Sequence, residues 1–186
     1  MKTIIEKVEF FLNALLSGGK VGAISTSSNY VLEGVLKHVE GPLGTVVEYG
    51  PGDGVMTKKI LKLLGPQGKL IVIESDSKFA KVLREINDPR LEVILGNVEE
   101  VINRETWQTG DVDLVLSSIP FSFLAPGERD RVIQRTHAIL APHGSCIVFH
   151  QYSTLIRETL EKYFATVTVE FEPRNIFPCF ILVARK

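Results

Sequence analysis

The stretch that most constrains the fold is residues 45–54, TVVEYGPGDG, where an apolar segment runs into a glycine-rich turn. Residues 55–61 follow with the apolar spacing of a helix. A strand, a glycine turn and a helix in this order present free N–H groups and the positive end of a helix dipole. Such a turn suits a ligand that the backbone approaches closely.

The spacing of the glycines separates three kinds of ligand site. A phosphate-binding P-loop needs GxxxxGK[ST], which the chain lacks. A dinucleotide site needs GxGxxG, but Val55 stands at the third glycine position and Gly54 comes one residue early. What remains is ExGxGxG, with Glu48 ending the apolar segment. A carboxylate repels a pyrophosphate and attracts an ammonium or a sulfonium, so this loop favours a cofactor with a cationic end. A corner that keeps its glycines only for the turn is the alternative.

The pattern from Glu48 to Gly54 resembles motif I of the class I S-adenosylmethionine (SAM) dependent methyltransferases. In that family the loop surrounds the methionine part of the cofactor, and the acid faces its amino group. The resemblance therefore implies SAM as the cofactor, S-adenosylhomocysteine as its product, and no metal ion. It assigns cofactor contacts to Glu48, Tyr49, Gly50, Pro51, Gly52 and Gly54.

Length and composition bound the class of protein. The 186 residues suit one domain, with an expected N-terminal helical cap over residues 1–40 and a SAM-binding core over residues 44–186. The 21 basic and 22 acidic residues balance, which argues against a large nucleic-acid footprint. Cys146 and Cys179 lie in apolar runs, as reduced buried thiols do. Without a signal-peptide layout or an apolar run of ~20 residues, a cytoplasmic protein is expected, and its oligomeric state stays open.

Two segments near the start have more than one interpretation. Residues 3–16 carry apolar side chains at helical spacing, which predicts a helix that packs on the domain or covers the active site. The other interpretation is a helix on a membrane surface, which would make the protein peripheral to the inner membrane. Its polar face lacks the Lys and Arg residues usual for that role. Residues 21–28 are small and rich in hydroxyls, and either cap the next helix or contact the cofactor.

The rest of the chain alternates apolar segments with helical patterns. Consecutive apolar strands separated by helices imply a parallel sheet covered on both faces. Residues 166–171 and 180–184 predict a closing antiparallel pair. The predicted fold class is α/β, a Rossmann-like three-layer sandwich with a mostly parallel seven-stranded sheet, an antiparallel last strand and N-terminal helices. Right-handed crossovers would place the first and fourth strands side by side, where such sheets bind ligands.

Polar residues follow the second and third predicted strands. Glu74 lies about 20 residues beyond the glycine turn, where an acid accepts hydrogen bonds from a ribose diol. Asp76 either shares that role or begins the next helix. Asn97 stands where the family usually has an acid, so it either accepts from the adenine amino group through its amide oxygen or is an ordinary turn residue. The resemblance assigns further cofactor contacts to Ser75, Gly96, Asn97 and Val98.

The chain after the fourth predicted strand reads SIPF and resembles motif IV of the amino methyltransferases, [DNS]-[PL]-P-[YFW]. There the proline holds a turn whose carbonyls, with the first side chain, accept hydrogen bonds from the target amine. The aromatic ring lies over the acceptor, which favours a flat base or a cation. A hydrophobic loop that contains a proline is the alternative. The motif assigns the methyl transfer to Ser118, Ile119, Pro120 and Phe121, with Ser118 also beside the cofactor.

Two later residues have open roles. His150, at the carboxyl end of the fifth predicted strand, is either a proton acceptor for a substrate ammonium or a strand-end histidine bonded to solvent or backbone. Arg174, between the last two predicted strands, either meets a phosphate or is solvated.

Two methyltransferase families share this layout. In the ribosomal RNA adenine dimethylases the second motif reads NLPY. These proteins also carry basic surfaces and an RNA-binding extension, which this sequence lacks. The bacterial phospholipid N-methyltransferases, which convert phosphatidylethanolamine towards phosphatidylcholine, are similar over most of the chain, including residues 151–153 and 174–178. The expected function is N-methylation of phosphatidylethanolamine or a related lipid amine. An RNA adenine N6-methyltransferase, a methyltransferase of a small-molecule amine and a SAM-binding module without catalysis are alternatives, and an NAD oxidoreductase fits least.

Overall fold

A computed structural model describes residues 28–41, 43–105, 107–175 and 178–186. The predicted helix at 3–16 and most of the hydroxyl-rich turn at 21–28 lie outside these ranges. The strands are β1 (Thr45–Tyr49), β2 (Lys69–Glu74), β3 (Leu91–Leu95), β4 (Val112–Ser117), β5 (Leu140–Gln151), β6 (Thr166–Glu172) and β7 (Cys179–Arg185). The helices are α1 (Asn29–Leu36), α2 (Val55–Leu63), α3 (Ser77–Arg84), α4 (Val98–Arg104), α5 (Pro126–Ile139) and α6 (Ile156–Glu161), with a 3₁₀ turn at Phe121–Phe123.

The strands form one sheet in the order β3-β2-β1-β4-β5-β7-β6. β1 is parallel to β2 and β4, and the pairs β2–β3 and β4–β5 are parallel as well. β7 is antiparallel to both β5 and β6. The order confirms the predicted α/β fold class, its antiparallel last strand and the adjacency of the first and fourth strands.

Helices cover both faces of the sheet, which gives the predicted three layers. Successive residues of a strand point to opposite faces, so β1 contributes to two separate cores. Val46 packs with residues of α1, α2 and α3, and Val47 packs with residues of α4, α5 and α6. Because both faces are covered, β1 is buried at four of its five positions. Its charged residue, Glu48, therefore needs a specific explanation.

The loops after β1 and β4 meet at one edge of the sheet. Tyr49 and Ser117 are paired at the carboxyl ends of these strands. From β1 the chain crosses to β2 on one side, and from β4 it crosses to β5 on the other. The crossovers diverge between β1 and β4, and open α/β sheets bind their ligands at such a point.

The start of α3 agrees with the sequence interpretation, whereas the start of β5 differs from it. Asp76 begins α3 by accepting a hydrogen bond from the Lys78 N–H at 2.7 Å. The residues Ala-Pro-His-Gly at 141–144 are typical of a turn, but they lie within β5, where Leu140 and Ser145 both pair with β4 and the register shifts between these two pairs. Within the described ranges, the structure has no helix with the length and apolar character required to cross a membrane.

Candidate active site

The glycine turn after β1 has a backbone that only glycine adopts readily. Gly50, Gly52 and Gly54 have φ values of +68°, +57° and +76°. A Cβ atom at Gly54 would lie 2.8 Å from Cδ2 of Leu83 on α3, so this glycine lets α2 and α3 pack closely. A Cβ atom at Gly52 would meet no atom within 4 Å. The middle of the turn therefore faces open space.

The carboxylate of Glu48 lies beneath this turn. It is 1% exposed and accepts a hydrogen bond from the Thr57 hydroxyl at 2.7 Å. The pKa of Glu48 is raised to about 7, mainly because the group is buried; the Thr57 hydrogen bond opposes this effect, and the nearby carboxylates of Glu74 and Asp53 add to it. The sequence interpretation had this acid facing the cofactor directly. The pleat directs the side chain under the first turn of α2, behind the loop, and its contact with the amino group of the cofactor stays a prediction.

Glu74 joins the ends of β1 and β2. Its Oε2 accepts from the Gly52 N–H at 3.0 Å, and its Oε1 accepts from the Asp76 N–H at 2.8 Å. The side chain is 6% exposed. Each carboxylate oxygen can accept a second hydrogen bond, so the predicted contact with a ribose stays compatible with these two bonds. The pairing with Gly52 was not foreseen, and it holds the glycine turn against β2.

A cleft of about 170 Å³ opens at the switch point. Residues that the sequence assigned to the cofactor site or to motif IV form one wall of the cleft. The start of α5 forms another wall, which the sequence interpretation did not include. The signal for that wall was available, because Ala125-Pro126 begins a helix immediately after motif IV. Among the described residues that line the cleft there is no Lys or Arg, whereas two carboxylates are present. The lining residues are Gly50, Ile73, Ser75, Gly96, Asn97, Val98, Glu99, Ile119, Leu124, Glu128 and Val132.

Asn97 serves as a helix cap in addition to lining the cleft. Its side-chain oxygen accepts from the Glu99 N–H at 2.8 Å at the start of α4. This bond engages the oxygen that was expected to accept from an adenine amino group, although an amide oxygen has a second lone pair. The cap favours the interpretation of Asn97 as a turn residue, and its contact with adenine stays a prediction.

The motif IV loop is held directly against the glycine turn. The Ser118 hydroxyl donates to the Gly50 carbonyl, and the Ser118 N–H donates to the Tyr49 carbonyl at 3.1 Å. A Cβ atom at Gly50 would lie 2.9 Å from Cγ2 of Ile119. A larger residue at position 50 would push the two loops apart.

Gln151, which the sequence interpretation did not single out as a site residue, supports the same loop. It is 5% exposed at the end of β5. Its Nε2 donates to the carbonyls of Ile119 and Phe149, both at 2.9 Å. Two carbonyl acceptors on one side fix the orientation of the amide. Gln151 thus ties the motif IV loop to β5, and it engages a carbonyl that was expected to face the acceptor amine.

The side chains of two motif residues, Phe121 and Tyr49, lie away from the cleft, and the expected contact of Tyr49 with the cofactor stays a prediction. Phe121 is 1% exposed and packs in the core beneath α5 and α6, so its ring does not cover an acceptor in this structure. Tyr49 packs in the same core, and its hydroxyl shares a 3.1 Å hydrogen bond with Thr136. Burial raises the pKa of Tyr49. Alternation along β1 sends Tyr49 to the face opposite Glu48, and the 3₁₀ turn rotates Phe121 inwards.

The structure describes the side chain of Arg174 but not that of His150, the two residues whose roles the sequence left open. His150 lies in β5, but its side chain is outside the described part of the structure. Arg174 forms a two-pronged ion pair with Glu172, with N–O distances of 2.8 Å and 2.7 Å. Its guanidinium also stacks over the Tyr30 ring at 4.3 Å. The charge of Arg174 is thus already engaged, which weakens the case for a phosphate contact.

Replacing Gly52 or Gly54 by alanine should separate ligand contact from stability. Gly54→Ala adds a steric clash to backbone strain, and we expect it to lower the free energy of unfolding by about 2 kcal/mol or more. Gly52→Ala adds strain alone, about 1 kcal/mol, but its methyl enters the open space of the turn. Urea unfolding measures the first effect, and calorimetric titration with SAM measures loss of affinity in Gly52→Ala. Equal SAM affinity in Gly52→Ala and the wild type would show that the turn does not contact this ligand.

The raised pKa of Glu48 should make stability depend on pH. The folded state holds this proton up to about pH 7, whereas the unfolded state releases it near 4.5. Stability therefore falls as the pH rises through this window, by about 3 kcal/mol in total. Glu48→Gln keeps an acceptor for Thr57 and removes the titration. Urea unfolding from pH 4 to pH 8 should show the variant gaining stability relative to wild type as the pH rises, and parallel pH profiles would contradict the assignment.

The residues at the switch point fit SAM. The turn leaves open space at Gly52, and the carboxylates of Asp53 and Glu74, joined by Glu48 above about pH 7, give the site the negative potential that a sulfonium and an ammonium require. The cleft beyond it combines apolar walls at Ile73 and Ile119 with polar groups at Ser75 and Asn97, as an adenosine needs.

Comparison with known proteins identifies the family. The model of the ribosomal RNA adenine dimethylase family matches residues 26–120. An ornithine lipid N-methyltransferase of Singulisphaera acidiphila is 30% identical over 169 residues, which cover 87% of this chain and 86% of that protein.

Solved structures share the fold at lower identity. A Burkholderia thailandensis 1,6-didemethyltoxoflavin-N1-methyltransferase with bound S-adenosylhomocysteine has a TM-score of 0.68 at 15% identity, over 100% of this chain and 91% of its own. A spermidine synthase in complex with the transition state analogue AdoDATO has a TM-score of 0.68 at 19% identity, over 84% of this chain and 61% of its own. Together with the motifs and the cleft, these matches show that the chain belongs to the class I SAM-dependent methyltransferases.

Proposed function

We propose that this methyltransferase transfers a methyl group from SAM to the amino group of phosphatidylethanolamine or a related lipid amine. The observation that carries the proposal is the contact between the motif IV loop and the glycine turn. Ser118 bonds to the Gly50 carbonyl, and Ile119 packs against Gly50 and also lines the cleft. An amine held by the motif IV loop would lie directly beside a cofactor held by the turn.

For methyl transfer, the protein mainly has to position the two reactants and provide complementary charge. Bound SAM supplies an activated methyl group that transfers by in-line displacement. The chain supplies Ser118 to orient an amine and Gln151 to keep its loop in place. Glu128 lines the cleft and would attract a cationic head group, whereas the charge of Glu99, which also lines it, is engaged by Arg131. Because an ammonium must lose a proton before it attacks, His150 stays our predicted proton acceptor.

The lipid part of the proposal is supported by similarity to the ornithine lipid enzyme over most of the chain. That protein acts on an amine carried by a lipid, the same chemical class that the motif IV loop suits. A lipid acceptor also implies that the enzyme works at a membrane surface, which we propose to be the cytoplasmic face of the inner membrane.

An RNA adenine N6-methyltransferase is the second candidate, and the match to the ribosomal RNA adenine dimethylase model favours it. The electrostatics of the cleft oppose it. RNA phosphates require basic side chains near the target base, whereas the charged residues that line this cleft in the described part of the chain are Glu99 and Glu128.

Labelled SAM tests the acceptor directly. Incubation of the full chain with vesicles that contain phosphatidylethanolamine or an ornithine lipid should yield methylated lipid, while ribosomal RNA and small amines should stay unlabelled. Labelled RNA with unlabelled lipid would contradict the lipid proposal and support the second candidate. SAM binding without product on any acceptor would indicate a binding module.

Matched glutamine variants add a control to this assay. Gln151→Met keeps the side-chain size but removes both hydrogen bonds to the carbonyls. We expect kcat to fall at least about 10-fold while SAM affinity stays within about two-fold, because the acceptor loop alone loses its support. Gln134→Met, on the exposed side of α5, should behave as the wild type. An unchanged kcat in Gln151→Met would remove this residue from the acceptor site.

A further inference from the structure

The outer surfaces of α2 and α3 carry basic residues without any acidic ones. Their sequences, VMTKKILKL and SKFAKVLR, contain no Asp or Glu. The chain as a whole has 21 basic and 22 acidic residues, so the remainder of the molecule has a clear acidic excess. The exposed cations define what we call the basic face: Lys58, Lys62, Lys78, Lys81 and Arg84.

The cations of the basic face have no acidic partners among the described residues. Within the part of the chain that the structure describes, none of them forms an ion pair. Elsewhere exposed cations are paired, as Arg157 is with Glu161 and Lys162 is with Asp130. Asp76 and Glu85 flank α3 at its two ends and leave the helix itself cationic. A concentration of unpaired positive charge on an otherwise acidic molecule favours an anionic partner.

Apolar side chains lie among these cations. Leu63 is 52% exposed at the end of α2, and Val82 is 44% exposed on α3. The two helices cover the same face of the sheet and touch where Gly54 approaches Leu83. Lysines with exposed aliphatic residues on neighbouring helices form the type of surface that lies in the head-group region of a bilayer.

We infer that the basic face docks on an anionic lipid surface. RNA would also attract the lysines, but its phosphates offer no partner to Leu63 and Val82, whereas a bilayer accepts both kinds of side chain. The inference rests on the proposed function, in which the enzyme works at a membrane surface, and deepens it by naming the face that contacts the lipid.

Docking through this face would bring the cofactor edge close to the membrane. α2 begins at Gly54 in the glycine turn, and α3 begins at Asp76, immediately after Glu74. Lys58 and Lys78 lie in the first turns of their helices, so the basic face extends to the edge of the sheet that holds the site.

Vesicle sedimentation of the full chain without SAM tests this inference. The wild type should bind vesicles of phosphatidylglycerol and phosphatidylcholine, with affinity that falls as salt rises, and should not bind phosphatidylcholine alone. The variant Lys58→Glu, Lys62→Glu, Lys81→Glu should bind at least about 100-fold more weakly. Leu63→Ser with Val82→Ser should lose about 10-fold on vesicles and leave any binding to ribosomal RNA unchanged.

A control of equal charge change makes the result specific. The variant Arg104→Glu, Arg157→Glu, Lys162→Glu reverses three exposed cations on the opposite face and should bind vesicles as the wild type does. Equal losses in both charge variants would overturn the inference, as would vesicle binding that survives reversal of the basic face. Tighter binding to RNA than to anionic vesicles would assign the face to RNA instead. Lipid methylation is measured separately, so either proposal can fail alone.

Discussion

Burial of the Glu48 carboxylate under the glycine turn is the constraint on which the site depends. A carboxylate in that position is unfavourable for folding, because burial keeps its pKa near 7 and the neighbouring carboxylates oppose its ionisation. The described structure gives it one hydroxyl partner, Thr57. A cation bound at the turn would supply the missing opposite charge. The buried charge of Glu48, which is unfavourable in the free protein, thus becomes favourable when a sulfonium and an ammonium are bound.

Hydrogen bonds at the carboxyl edge join the ends of four strands into one unit. Glu74 at the end of β2 holds Gly52, Ser118 after β4 holds Gly50, and Gln151 at the end of β5 holds Ile119. The loop that would bind the donor and the loop that would bind the acceptor therefore share backbone contacts. A change in one loop is transmitted to the other, and catalysis by positioning needs this coupling between donor and acceptor.

The sequence predicted the adjacency of the first and fourth strands, the antiparallel last strand and both loops, and it offered the helix start at Asp76 as one of two roles, because each follows from a local pattern. The directions of individual side chains depended on tertiary packing. Phe121 occupies the core because the 3₁₀ turn rotates it there, which a four-residue motif does not encode. The role of Gln151 required knowing that β5 ends beside the motif IV loop, and the contribution of Glu128 required knowing that α5 begins beside the cleft.

A negative charge beneath the glycine turn attracts the cationic donor, and a binding measurement can test this attraction directly. Calorimetric titration with SAM at pH 6 and pH 8 compares the wild type with Glu48→Gln. At pH 8 we predict that SAM binds the wild type at least about 10-fold more tightly than it binds Glu48→Gln. At pH 6, where Glu48 is mostly protonated, the difference in affinity between the two proteins should shrink. Equal dissociation constants for the two proteins at both pH values would contradict the claim.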